Sequence, residues 1–180
     1  MRANNLQIFV KSYLLLLSLF IFVPLASAHG GEDTVVEEIL SNGQILLISM
    51  LGALVMWQLT SSMITIKAPV WTPVMMALLA YTGLVHLLLG LNETLLLVGG
   101  VGALAAAFGL TTLNLSPGIV RGGTFALGGG VCVMLVGFFL SNHDLHMLLE
   151  DRLGLSTKLA EIALLAMMVK HGAFDPTKKQ

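Results

Sequence analysis

The chain has one cysteine, little charge and few aromatic residues, and each shortage narrows what it can be. Cys132 is alone and stands inside an apolar run, so an internal disulfide and a cysteine-based zinc site are both excluded. Asp, Glu, Lys and Arg make up 11% of the 180 residues, against roughly a quarter in soluble domains. The nine basic residues are dispersed and the formal net charge is −1. No continuous basic face exists for a nucleic-acid partner. Catalytic signatures are missing as well. There is no His-Glu-x-x-His, no phosphate loop, no Rossmann glycine pattern and no Ser-His-Asp order, so a soluble-type enzyme is not expected.

What remains is apolar. Hydrophobic residues reach 56% and the mean hydropathy is +0.90, which makes lipid the main solvent. The first 28 residues have the three parts of an export signal. Arg2 and Lys11 supply the positive region, residues 14–25 the short apolar run, and Ala26-Ser27-Ala28 the small-residue cleavage site. An uncleaved signal anchor would leave the same orientation. Cleavage after Ala28 makes His29 the first residue of a single domain over 29–180, preceding a capping-box pattern at Thr34 and Glu37.

Four long apolar runs follow, at 44–66, 70–91, 94–113 and 124–140, each about long enough to cross roughly 30 Å of hydrocarbon at ~1.5 Å per residue. A fifth span, 157–173, is weaker. Its apolar stretch is short, and Lys158 and Lys170 at its ends are expected to snorkel to the interfaces. An interfacial helix is the alternative for this segment. The prediction is an all-α polytopic transmembrane helix bundle of about five spans after a cleavable signal peptide. Lys67, Arg121, Lys170, Lys178 and Lys179 then share one side, which the positive-inside bias assigns to the cytoplasm. All acids except Asp175 fall on the other side. The mature N-terminus is therefore placed outside the cytoplasmic membrane and the C-terminus inside.

Small residues suggest how the helices meet. Gly99, Ala103 and Ala107 share a face of the third span, and Gly128, Gly129, Gly130 and Gly137 line the fourth. These faces are expected to pack on each other across a short turn containing Pro117 and Gly118, or on a second copy or partner subunit. Gln58, Ser61, Ser62 and Thr65 are expected to hydrogen-bond between helices. Pro73 suits the first turn of the second span, where a missing N–H costs little.

Histidines carry the candidate chemistry. His86 lies within the second span, and an ionisable group at membrane depth is costly enough to need a partner. His143, His146 and Glu150 fall at i, i+3 and i+7 on a short outer helix over 142–153, with Gly154 as its left-handed terminator. Imidazole and carboxylate together suit copper, nickel or zinc. With His29, whose α-amine and imidazole can chelate one ion, four of the five histidines share the acid-rich side. The Ala28-His29-Gly30 junction resembles the mature N-termini of histidine-brace copper proteins. In size, leading signal, Ala-His start and Gly/Ala-rich helices the chain is also similar to the nickel-permease family, whose His-Pro-x-x-Gly-x-Asp-His run is absent here.

Three functions are compatible with this pattern. The first is a metal permease or metal-loading accessory with an extracytoplasmic site built from His29, His86, His143, His146 and Glu150. The second is a structural or assembly subunit whose histidines are incidental. The third is a haem-binding membrane subunit, which requires a second imidazole facing His86 across one iron.

Overall fold

The computed structural model describes residues 40–91, 93–141 and 151–175. They form five α-helices: α1 (Asn42–Ser62), α2 (Pro73–Leu89), α3 (Thr94–Thr112), α4 (Pro117–Ser141) and α5 (Arg152–Lys170). No strand occurs among the described residues. The protein is all-helical, and α1, α3 and α4 are long and apolar enough to cross a membrane. Helix α2 is equally apolar but only 17 residues long. The signal peptide over 1–28, the Thr34 cap and most of the outer helix over 142–153 lie outside the described residues.

Local chemistry fixes the helix ends. Thr72 is extended and its hydroxyl accepts from the Met75 N–H at 3.3 Å, with Pro73 as the first helical residue, where its fixed φ favours helix and its lost donor is not needed. The same logic corrects the reading of Pro117. It opens α4 directly, so the helix starts well before Thr124 and the turn is confined to 113–116. Gly154 is a second correction. It sits in the first turn of α5 and donates its N–H to the Asp151 carboxylate at 2.8 Å, so the aspartate begins a helix where the glycine was expected to end one. The left-handed glycine among the described residues is Gly172, at φ 71°. There Ala173 N–H donates to Met168 C=O and Gly172 N–H to Val169 C=O, the paired bonds of a Schellman motif.

Helix α2 is the hub, packing on α1, α3 and α5. Its Met75, Met76 and Leu79 are buried among Ala103 and Ala107 of α3 and Leu164 and Met168 of α5. Lipid tails are as apolar as these side chains, so association has to come from close packing rather than from escaping water. Gly100 and Gly90 provide it. A Cβ on Gly100 would collide with the Leu87 backbone, and one on Gly90 with the Leu97 backbone. Gly100 and Ala103 of α3 thus meet α2, whereas Gly99, the first of the expected small residues, has Met134 of α4 beside it. On α4 the glycines Gly122, Gly123, Gly129, Gly130 and Gly137 have open space around them. Outward faces are apolar, with Leu140 72% and Val133 71% exposed on α4 and Leu95 68% on α3. Contiguous apolar surface of this kind is tolerated only against lipid or another protein.

The polar side chains at the C-terminal end of α1 satisfy themselves locally, whereas the buried Ser49 hydroxyl in its middle has no hydrogen-bond partner among the described residues. Ser61 donates to Trp57 C=O at 2.6 Å and Ser62 to Gln58 C=O at 2.7 Å, while Gln58 reaches Ser62 within the same helix. The expected bonds to other helices are not made by these residues, because the i−4 carbonyl is the nearest acceptor. One long-range bond does join a loop to a helix: the buried Trp71 indole donates to Thr124 Oγ1 at 3.3 Å.

Candidate functional site

Near its C-terminal end α2 turns Thr82 and His86 toward α5, where Lys158 and Glu161 stand one turn apart. All four side chains are buried, Glu161 to 1% exposure and Lys158 to 4%. The ammonium of Lys158 donates to both carboxylate oxygens of Glu161, at 2.9 and 3.1 Å. The hydroxyl of Thr82 donates to Oε1 of the same carboxylate at 3.0 Å. Nδ1 of His86 lies 2.8 Å from the Thr82 carbonyl, which can only accept, so Nδ1 donates there. That contact turns Nε2 toward Glu161, and it approaches Oε1 at 3.4 Å. The Tyr81 and Ser156 hydroxyls are bonded at 2.8 Å close by, a second polar tie between α2 and α5.

The arrangement is expensive to build and hard to disturb. A carboxylate and an ammonium removed from water keep their charges only when paired and hydrogen-bonded, and Glu161 has Lys158 and Thr82 for that purpose. The pair is also open to its surroundings. A cavity of about 490 Å³ with Gly99, Gly102, Ala126 and Gly130 in its wall reaches Thr82, His86 and Glu161. A second, of about 590 Å³, reaches Lys158 and His86 from the end of the bundle that carries Glu93 and Asp151. His86 is the polar residue common to both walls. Small side chains on α3 and α4 leave this room, which bulky residues at the same positions would fill.

Of the predicted metal ligands, His86 is buried as its position demanded, and its partner is Glu161. His29, His143, His146 and Glu150 lie outside the described residues. Among the described residues no three His, Cys, Asp or Glu side chains are grouped as a metal site would require. The other described histidine, His171, caps the far end of α5. At ~1.5 Å per residue it stands about 15 Å along the helix from Glu161, too far to share an iron with His86.

Three members of the cluster were not anticipated as site residues. Lys158 was expected to snorkel to an interface; instead it turns inward, because a buried carboxylate one turn away offers more than headgroups can. The charge bias marks Glu161 only as one acid of an acidic side. The signal was available: an acid interrupts the weakest apolar run, with a lysine at i−3, a spacing that puts both on one helix face. Thr82 had none, since a threonine in an apolar helix is ordinary. Cys132 is exposed on α4, away from this cluster. Comparison with family models, with curated proteins and with solved structures finds no match to this chain.

Proposed function

We propose that the chain is a small integral membrane protein that handles a cation, with a transition metal as its cargo, acting as a permease or as an accessory that loads metal from the extracytoplasmic side. The observation that carries this reading is the His86–Glu161 pair, an imidazole and a carboxylate 3.4 Å apart inside a bundle of membrane-crossing length. An ionisable pair at such depth is costly and marks an ion or substrate path by default. Two cavities meet at His86, and the one at the Glu93 and Asp151 end gives a cation an approach lined by carboxylates, which raise its local concentration. His29, His143, His146 and Glu150, which lie outside the described residues, are the further donors that the sequence offers this reading, with copper, nickel or zinc as the ion their chemistry suits.

Metal content of the purified full chain, measured by elemental analysis after reconstitution with each ion, tests it. His86→Ala and Glu161→Gln should each lower bound metal at least tenfold, and His143→Ala/His146→Ala should lower it further. Equal metal in all variants would remove the site. The same preparation decides the haem alternative by the presence or absence of a Soret band. A second reading, an assembly subunit of a larger membrane complex, is favoured by one observation: the uncovered glycines of α4, which would let a partner helix approach closely. Cross-linking in native membranes that traps α4 against another polypeptide, with no metal bound, would support that reading.

A further inference from the structure

We propose that Lys158 is a tethered competitor for the cation site at Glu161: its ammonium closes the site at rest, and an incoming cation binds the carboxylate by displacing it. The inference rests on the cation-handling reading and adds how the site is kept shut and what opens it.

The geometry gives Lys158 the place a bound ion would take. Its Nζ contacts both oxygens of Glu161, at 2.9 and 3.1 Å, so the carboxylate is already bidentate to one cation. The remaining polar contacts of the pocket, the Thr82 hydroxyl at 3.0 Å and His86 Nε2 at 3.4 Å, stay in position when the ammonium leaves. They are the donors a small cation would inherit. Lys158 also has somewhere to go. Its Nζ lies 5.4 Å from the centre of the Phe138 ring on α4, where the ring face attracts a cation. The cavity beyond is lined by Asp151 and Glu93. Rotation of a flexible four-carbon stem carries the charge from a buried acid to acids at the end of the bundle without leaving it unpaired. Among the described helices α1, α2 and α3 contain no lysine or arginine, Arg121 on α4 lies near the opposite end against Phe125, and the other basic residues of α5, Arg152 and Lys170, stand at its two ends and are exposed.

The ligand class that follows is a small desolvated cation, either a primary ammonium or a divalent metal, because each can occupy the position of the Lys158 headgroup. Lys158→Ala in the full chain, in lipid vesicles, separates these sources. The variant leaves a channel the width of an alkyl chain ending at the carboxylate. n-Propylammonium, which matches the three carbons and nitrogen removed, should raise its thermal midpoint in a saturable manner while leaving wild type and Lys158→Ala/Glu161→Gln unmoved. Zinc should bind the variant at least tenfold more tightly than wild type, since the competitor is gone. Rescue by propylammonium with no zinc binding to any form would uphold the tethered competitor and sink the metal reading. Zinc affinity equal in wild type and variant, with no propylammonium effect, would overturn the proposal while leaving metal binding intact. Should the alanine variant not fold, Lys158→Met keeps the stem's volume, and the zinc comparison alone decides: a tenfold gain upholds the proposal and an unchanged affinity overturns it.

Discussion

Glu161 governs the interior because it is the one carboxylate that α5 buries completely, with Lys158, Thr82 and His86 arranged around it. The cost of removing one partner exceeds the value of the pair itself, since the survivor is left charged and dry. Glu161→Gln strands the ammonium of Lys158, and Lys158→Met strands the carboxylate. Each should lower unfolding free energy by about 3–5 kcal/mol, while Glu161→Gln/Lys158→Met should return to within about 1 kcal/mol of wild type, as buried pairs replaced together usually do. Denaturant titration of the four proteins in detergent micelles, read as a double-mutant cycle, checks this. Additive losses would mean that the two side chains do not act on each other. Residue type and spacing made His86 legible as a buried group in need of a partner. They did not say which of the acids it would meet, because helix order in space is not written in helix order along the chain.

Helices add the second level, and their glycines have opposite roles on α3 and α4. Gly100 lies where the α2 backbone passes, so a methyl there has no room. Gly129 faces open space and contributes only backbone freedom to the unfolded chain. Gly100→Ala should therefore destabilise by about 1–3 kcal/mol, as overpacking does. Gly129→Ala should stabilise by roughly 0.5–1 kcal/mol, the usual gain in a helix interior. Thermal unfolding of the two variants in one detergent separates these signs, and equal effects would show that α2 and α3 are not in close contact. The sequence pattern marks both segments as small-residue faces, and composition alone cannot distinguish a face that is used from one that is not. Cap chemistry was more readable at Pro73 than at Gly154, where an aspartate three residues earlier turned a presumed terminator into part of a first turn.

At the scale of the molecule, uniform apolarity gives three helices the character to cross a membrane, and the positive-inside bias is what the sequence offers as a prediction of their orientation. With the mature N-terminus outside, His146→Cys should react with a membrane-impermeant thiol reagent from the outer side and Lys178→Cys only after permeabilisation, both on a Cys132→Ala background. The reverse pattern would invert the topology and place the Glu93 and Asp151 end in the cytoplasm. The cation reading would then require uptake or release on the other face.

The helical class and the membrane-crossing length of α1, α3 and α4 were determined by the sequence by itself, because both depend on runs of like residues that no packing arrangement can alter. The isolation of Cys132 and the presence of one ionisable histidine in an apolar helix were fixed in the same way. Tertiary structure alone decided that Lys158 turns inward, that Glu161 is the partner of His86, and that Gly100 rather than the α4 glycines marks the close crossing. These are contacts between α2, α3 and α5 whose energies depend on which surfaces face each other. A charge is tolerable or ruinous in a low-dielectric interior according to what lies within about 4 Å of it, and only the folded chain specifies that neighbour.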